Sequence, residues 1–225
     1  MPRPALVLTD IEGTTTPISF VHDVLFPYAR ARLPALVAAA EQVPEVAQAL
    51  STLPAGEPLA TLLGWMDRDV KAAPLKTLQG ITWRDGYRDG TLHGALYPDV
   101  AGHLRSWAAA GTSLAVYSSG SIEAQRLLFG HSDSGDLSGL FGGFYDTSSG
   151  PKREARSYHA ILADQGVAGA RALFLSDVEA ELDAAAEAGL LTCQLVRAAD
   201  GTRAGTRHPV ATDFGQVAQA FGLSS

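Results

Sequence analysis

The feature that most constrains the fold is an apolar run near the N-terminus, residues 5–8, which is followed closely by two acids, Asp10 and Glu12. Four apolar residues in succession predict a strand buried on both faces, as in the middle of a parallel sheet. Gly13 then permits a tight turn. Because ligands of open α/β sheets bind beyond the carboxyl ends of the strands, both acids occupy positions where chemistry is commonly performed. An ordinary polar turn is the alternative, since Asp, Gly and Thr are frequent turn residues.

Composition limits the class of protein. The 225 residues are 46% hydrophobic, which is enough for a substantial core and argues against disorder. The net charge of −7, with no basic cluster, disfavours nucleic acid and anionic membranes as partners. The only cysteine, Cys193, excludes an internal disulfide and is predicted to be a buried strand residue. No secretory signal and no apolar run of roughly 20 residues is found, so we expect a soluble, cytoplasmic protein, and a monomer by default.

A long helical region follows the first predicted strand. Residues 17–96 show apolar positions at helical spacing, no alternation at a period of two, and Pro17 suited to a first helical position. Because this region interrupts an α/β alternation, we predict an inserted helical cap, 17–96, on an α/β catalytic core made of 1–16 and 97–225. Segment 78–87 is rich in aromatic residues and glycine, and packing in the cap core is its simplest interpretation.

From Tyr97 onward, predicted strands and helices alternate. The strands are predicted at 113–117, 143–146, 172–175 and 191–196. A mobile loop at 198–207 and a short helix at 217–221 complete the pattern. Strands separated by helices imply parallel βαβ units, so the predicted fold is a doubly wound parallel α/β sheet.

Polar residues follow these strands or open the helices between them. They are Asp10 with Glu12, Ser118 with Ser119, Lys152, and Asp177. Simpler interpretations exist, since Ser176–Glu179 matches a helix capping box and Ser118–Ser121 can start a helix. Lys152 is harder to explain, because a cation in the first turn of a helix opened by residues 150–152 opposes the helix dipole unless an anion binds nearby. Together the groups bring carboxylates, hydroxyls and one cation to one sheet edge.

These positions, in this order, resemble the signature of the haloacid-dehalogenase-type phosphatase superfamily, which implies a Rossmann-like core. More narrowly, several segments resemble the enolase-phosphatases of methionine salvage, also called acireductone synthases. The segments are 10–18, 25–28, 78–80, 83–87, 117–125, 128–131 and 174–177. Glu12 stands where the wider superfamily usually has Asp, but Glu is what the enolase-phosphatase group carries.

The resemblance implies a role for each matched residue. Asp10 would attack phosphorus as the nucleophile, and Glu12 would protonate the leaving alkoxide and then activate water. Ser118 and Ser119 would bind phosphate oxygens. Lys152 would offset the charge on the nucleophile and the phosphoryl group.

The resemblance also implies a cofactor and a substrate. One Mg²⁺ per chain would be held by Asp10, the backbone carbonyl of Glu12, and Asp177, since Mg²⁺ takes oxygen ligands and usually only one or two carboxylates. The substrate would be 2,3-diketo-5-methylthiopentyl-1-phosphate, which is enolised and then loses phosphate to give the acireductone 1,2-dihydroxy-3-keto-5-methylthiopentene. The residue that removes the proton stays open at this stage.

Alternatives to this function use the same core residues. Another small-metabolite phosphatase would keep the core residues and differ only in the cap. A shared fold does not reveal which substrate such a cap selects. A dehalogenase works without a metal and is disfavoured by Glu12 together with Asp177. A silent binding module is disfavoured because every catalytic position is filled. In the cap, Trp83, Arg84 and Tyr87 are candidate substrate contacts, whereas His22 is interpreted as a packed or solvated histidine.

Overall fold

The computed structural model describes residues 3–224, and a parallel sheet is its central feature. The strands are β1 (Leu6–Thr9), β2 (Ser113–Tyr117), β3 (Phe141–Tyr145), β4 (Ala172–Ser176), β5 (Leu191–Leu195) and β6 (Val210–Ala211). Their order is β3-β2-β1-β4-β5-β6, and every neighbouring pair is parallel. The predicted doubly wound parallel α/β sheet is therefore confirmed, and β1 lies in its interior. The two-residue strand β6 was not predicted.

Helices connect the strands and also form a separate group after β1. They are α1 (Phe26–Ala38), α2 (Pro44–Ser51), α3 (Pro58–Asp67), α4 (Ala73–Arg88), α5 (Val100–Ala109), α6 (Ile122–Gly130), α7 (Ala155–Gln165), α8 (Glu179–Glu187) and α9 (Phe214–Phe221). A π-helical segment, Phe20–Leu25, runs directly into α1. Helical backbone begins at Ile18, so Pro17 precedes the helix instead of occupying its first position as predicted. In the described part of the chain, no helix is both long and apolar enough to cross a membrane.

Burial on both faces explains why β1 is central. All four of its residues are buried, and Leu6 and Leu8 join a cluster with residues of α7 and α8 on one face. Because side chains alternate along a strand, Val7 points to the opposite face, and it is also fully buried. Each strand next to β1 is as apolar as β1 itself, which is typical of sheets covered by helices.

The chain divides into two compact units. Ser19–His93 forms a helical unit, and the described residues before and after it form the unit that holds the sheet. The helical unit has its own core, in which Leu33, Leu62 and Leu78 are fully buried. Its extent is slightly shorter than the predicted cap, 17–96. The roles of the two units as cap and catalytic core remain predictions.

A buried arginine ties the C-terminal part of the sheet unit to the turn after β1. Arg197 binds both carboxylate oxygens of Asp99, at 2.9 and 3.0 Å. The same guanidinium donates to the carbonyl oxygens of Thr14 (2.8 Å) and Thr212 (3.0 Å), and it stacks over the Tyr97 ring at 4.1 Å. Its fork of donors matches this arrangement of acceptors, which a lysine could not satisfy.

Loop 198–207, predicted as mobile, is hydrogen-bonded at several points. The Asp200 carboxylate accepts from the Ile18 amide at 2.8 Å and from the Tyr97 hydroxyl. The buried Gln194 side chain donates to the Arg203 carbonyl at 3.1 Å and accepts from the Gly205 amide at 2.7 Å. The loop therefore joins the segments that lead into and out of the helical unit.

We predict that replacing Arg197 by Leu lowers the free energy of unfolding by about 3 kcal/mol, because it leaves a half-buried carboxylate and backbone carbonyls without their donor. Replacing the exposed Arg171 by Leu is the matched control and should change stability by less than about 0.5 kcal/mol. Urea unfolding followed by circular dichroism measures both. Equal stability of the two variants would contradict the anchoring role of Arg197.

Candidate active site

The strand register brings three polar strand ends together. Thr9, the last residue of β1, pairs with Val116 of β2 and Leu175 of β4. Asp10 therefore emerges between the ends of its two neighbours, with Ser118 following β2 and Asp177 following β4. The sequence prediction of one shared carboxyl edge for these residues agrees with the register.

The turn after β1 is compact and depends on glycine. The Ile11 carbonyl accepts hydrogen bonds from the amides of Thr14, Thr15 and Thr16, at 2.9–3.2 Å. Gly13 has a φ of +68°, and a Cβ there would lie 2.6 Å from Oδ2 of Asp177. Glycine is required because the backbone is left-handed and because the Asp177 carboxylate occupies the space of a side chain. The turn thereby fixes Asp177 beside the first strand end.

A buried lysine links two buried carboxylates. Lys152 Nζ lies 2.7 Å from Oδ1 of Asp10 and 2.6 Å from Oε2 of Glu181. The three side chains are only 8–12% exposed. Oδ1 of Asp10 also accepts from the Ile11 amide at 2.8 Å, which holds the carboxylate at the strand end. Opposite charges at this depth must be paired, since an isolated buried charge is strongly unfavourable.

Lys152 lies in a turn, not in a helix as predicted. Helix α7 begins at Ala155. In the turn before it, Gly150 has a φ of +118°, and two backbone carbonyls accept hydrogen bonds from tyrosine side chains. The Gly150 carbonyl accepts from the Tyr117 hydroxyl (2.8 Å), and the Lys152 carbonyl accepts from the Tyr158 hydroxyl (2.7 Å). The dipole argument for Lys152 was therefore wrong, and its two carboxylate partners explain its position.

Hydrogen bonds to the end of β3 and to the Gln125 side chain of α6 hold the loop after β2 in place. The Ser118 amide donates to the Tyr145 carbonyl at 3.1 Å, and its hydroxyl accepts from the Gly120 amide at 3.2 Å. The buried Gln125 amide donates to the carbonyls of Gly120 and Tyr145, both at 2.8 Å. Ser121 caps α6 through the Ala124 amide, as the capping alternative predicted, and this leaves Ser118 and the exposed Ser119 to other roles.

Glu181 was missed by the sequence analysis. Ser176 and Glu179 match a capping box, but Val178 is the N-cap of α8, and Ser176 Oγ instead donates to Glu181 at 3.0 Å. Glu179 accepts from the amides of loop residues 206 and 207. Asp177 lies outside α8, before its N-cap, so helical spacing could not have paired it with Glu181.

The site carries more negative than positive charge. Burial, together with the charges of Asp10 and Glu181, raises the pKa of Asp177 to about 7. Burial lowers the pKa of Lys152, but the two carboxylates beside it raise it by more, so the net shift is upward and the amine stays protonated. A cation added near Asp177 and Asp10 would relieve the repulsion between them.

The fit of this site to Mg²⁺ rests on two carboxylates. Among residues 3–224, no group of three or more His, Cys, Asp or Glu side chains is arranged to hold a metal ion. Asp10 and Asp177 nevertheless supply the one or two carboxylates that Mg²⁺ usually takes from a protein, and phosphate and water commonly supply the rest. The donor set therefore fits a hard divalent cation.

Two of the candidate residues of the helical unit, Trp83 and His22, contact the ring of Phe26. Trp83 donates from Nε1 to the Leu25 carbonyl at 2.9 Å and stacks on Phe26, with 6.4 Å between ring centroids. Tyr87 is 3% exposed, and burial raises its pKa strongly. The exposed His22 ring meets Phe26 edge-on at 5.5 Å. These contacts favour the packing interpretation of Trp83, while its contact with substrate remains a prediction.

Comparison with known proteins identifies the family of the chain. The family model of haloacid dehalogenase-like hydrolases matches residues 4–189. The enolase-phosphatase E1 of Gluconacetobacter diazotrophicus is 59% identical over 96% of this chain and 94% of its own length. That of Granulibacter bethesdensis is 58% identical over 99% of each chain. The crystal structure of the UTR4 protein of Saccharomyces cerevisiae superposes with a TM-score of 0.82 at 35% identity, covering 94% of this chain and 98% of that one.

The family follows from these matches. The chain belongs to the haloacid dehalogenase-like hydrolases and, within them, to the enolase-phosphatase E1 family. The resemblance found in the sequence motifs is confirmed.

We predict that Gly13→Ala destabilises the chain more than Gly111→Ala. Both positions have positive φ, +68° and +82°, so both variants lose about 1 kcal/mol from backbone strain. Only the Cβ at position 13 meets another group, the Asp177 carboxylate, and this overlap adds about 1–2 kcal/mol. Thermal and urea unfolding compare the two variants. Equal losses would show that Gly13 serves backbone geometry alone.

Proposed function

We propose that the chain is a bifunctional enolase-phosphatase. It would convert 2,3-diketo-5-methylthiopentyl-1-phosphate to the acireductone 1,2-dihydroxy-3-keto-5-methylthiopentene and phosphate, a step of methionine salvage. The observation that carries this proposal is the buried Asp10–Lys152 pair at the central strand end, in a chain whose relatives are named enolase-phosphatase E1. Action as a monomer in the cytoplasm is part of the proposal and rests on the sequence expectation alone.

Asp10 is the proposed nucleophile. Its carboxylate is buried, fixed by the Ile11 amide and held at 2.7 Å by Lys152, so its orientation is set before substrate binds. Attack of one carboxylate oxygen on phosphorus would form an aspartyl phosphate and release the alcohol of the substrate. Lys152 stays protonated and would oppose the negative charge that accumulates on the phosphoryl oxygens. Glu181 would position this amine through its 2.6 Å contact.

Glu12 is the proposed general acid and base. It lies two residues beyond the nucleophile, and a bridge to Thr16 fixes its backbone within the turn. Glu12 would give its proton to the leaving alkoxide and then take one from the water that hydrolyses the aspartyl phosphate. Ser118 and Ser119, at the end of β2, would donate hydrogen bonds to phosphate oxygens.

Mg²⁺ is the proposed cofactor, held by Asp10, Asp177 and the backbone carbonyl of Glu12. When bound, the cation supplies positive charge that neutralises phosphoryl oxygens. The excess of carboxylates over Lys152 supports this assignment, because a dianionic phosphate would otherwise enter a negatively charged site.

The direct test is anaerobic incubation of the diketo phosphate ester with the protein and Mg²⁺. Phosphate release and the ultraviolet absorbance of the enediol are followed together. Appearance of both supports the bifunctional proposal. If the ester stays intact while other phosphate esters are cleaved, the chain is a phosphatase of different specificity and the enolase assignment fails.

We predict that Asp10→Asn lowers phosphate release by roughly a thousandfold or more, because a neutral amide cannot attack phosphorus. The matched control is Asp133→Asn at an exposed position of the same unit, which should keep wild-type turnover. Initial rates with saturating Mg²⁺ and ester measure the effect. Unchanged turnover in the Asp10 variant would remove Asp10 as the nucleophile.

We predict that chelation of divalent cations stops phosphate release and that added Mg²⁺ restores it, because the carboxylates of Asp10 and Asp177 repel a phosphate without a cation between them. The same chelator with excess Mg²⁺ serves as the control. Phosphate release that continues at full rate under chelation would contradict the assigned cofactor.

A further inference from the structure

A buried glutamine beside Asp177 uses its whole amide group in hydrogen bonds. Gln194 lies on β5, pairs with Ser176 at the end of β4, and is 3% exposed. Its Nε2 donates to the carbonyl of Asp177 at 3.0 Å and to that of Arg203 at 3.1 Å. Its Oε1 accepts from the Gly205 amide at 2.7 Å. Because both donor hydrogens and the acceptor are used, these partners fix which end of the amide points to Asp177.

Segment 203–208 forms a strap along the start of α8. The Glu179 carboxylate accepts from the amides of residues 206 and 207, at 3.1 and 3.2 Å. A Cβ at Gly205 would lie 1.9 Å from Oε1 of Glu179, so the strap can approach the helix this closely only with a glycine at that position. The strap is therefore built against the helix that follows Asp177.

The end of the strap has a second attachment to β5. Nδ1 of His208 lies 2.9 Å from Oγ1 of Thr192, and its Nε2 lies 3.0 Å from Oδ1 of Asp183. These bonds hold the strap to β5 and α8 without including Asp177. Of the two attachments to β5, the one made by Gln194 also holds the backbone of Asp177.

The bond from Gln194 restrains the direction of the Asp177 side chain. It holds the carbonyl of Asp177, and thereby the orientation of the peptide unit that follows it. The carboxylate of Asp177 lies where a Cβ at position 13 would be, so its direction is matched to the turn after β1. Such direction matters for a metal ligand, because partners that orient ligands change metal affinity by roughly 10–100-fold.

We propose that Gln194 is a positioning residue for divalent cation binding, which orients Asp177 by joining its backbone to the strap. The inference rests on the proposed function, which assigns Mg²⁺ to Asp10 and Asp177. Gln194 acts through Asp177 and is not itself a ligand of the cation.

Binding of Mn²⁺ to the full-length protein without substrate tests this role. Mn²⁺ suits the same carboxylate and water ligands as Mg²⁺, and the electron paramagnetic resonance signal of the free ion falls as it binds. Gln194→Met keeps the approximate length of the side chain but removes its hydrogen bonds, and it should weaken Mn²⁺ binding about tenfold. Equal affinity of wild type and Gln194→Met, or no Mn²⁺ binding by the wild type, would overturn the inference.

Asp177→Asn shows whether the titration reports this site. The variant lacks the ligating charge, so it should bind Mn²⁺ more weakly than Gln194→Met. Wild-type affinity in Asp177→Asn would place the ion elsewhere and overturn the inference.

Thr192→Val is the matched control, since it lies on the same strand and holds the same strap. It keeps the shape of the side chain and removes the bond to His208, while the bond between Gln194 and Asp177 stays. We expect it to bind Mn²⁺ like wild type. A tenfold loss in both variants would show that the stability of the strap, and not the orientation of Asp177, sets the affinity, and this would overturn the inference.

A second substitution keeps the test decisive if Gln194→Met does not fold. Gln194→Asn retains an amide in β5, but it is one methylene shorter and cannot span the Asp177 carbonyl and the strap together. It should weaken Mn²⁺ binding as Gln194→Met does, at a temperature at which circular dichroism shows that the variant is folded. Wild-type affinity in Gln194→Asn would overturn the inference.

This test needs no substrate, so it separates the inference from the proposed function. Weaker Mn²⁺ binding by Gln194→Met, in a protein that leaves the diketo ester intact, would refute the proposed function and retain Gln194 as a positioning residue of a cation site. Turnover of the ester with equal Mn²⁺ affinity of wild type and Gln194→Met would refute the role of Gln194 alone.

Discussion

The contact of Lys152 with Asp10 and Glu181 is the interaction on which the site depends. It joins three segments that are far apart in sequence: the end of the central strand, the turn before α7, and the first turns of α8. All three side chains are buried, so removal of one leaves an unpaired charge in a medium where that is costly. The ion triad therefore fixes the orientation of the Asp10 carboxylate as well as its charge.

The rest of the sheet unit holds these segments in place. Tyr117 and Tyr158 fasten the turn that carries Lys152, and the small volume of Gly13 lets Asp177 approach the first strand end. Arg197 holds the turn after β1, which contains Gly13, by donating a hydrogen bond to the Thr14 carbonyl. Rigid strands and paired polar groups thus place acids, hydroxyls and one cation before substrate arrives, which is the arrangement that phosphoryl transfer requires.

Much of this arrangement could be predicted from the sequence because it follows from strand ends. A buried apolar run fixes β1, and polar residues just after parallel strands must share one edge, so Asp10, Ser118 and Asp177 were found correctly as neighbours of strand ends. Lys152 was identified both from the superfamily signature and from a helix-dipole argument, and only the dipole argument was incorrect. Its position depends on side-chain hydrogen bonds to turn carbonyls, which no helical periodicity encodes. Glu181 was missed because a local capping pattern at residues 176–179 competed with a long-range ion pair.

Covalent trapping of the nucleophile tests the central claim most directly. Sodium borohydride reduces an aspartyl phosphate to homoserine, so protein quenched with borohydride during turnover of the ester is digested and its peptides are analysed by mass spectrometry. The geometry of Asp10 beside Lys152 predicts homoserine at position 10, dependent on substrate and absent from Asp10→Asn. Conversion of a different acid, with Asp10 intact, would contradict the assignment of the nucleophile and with it the proposed mechanism.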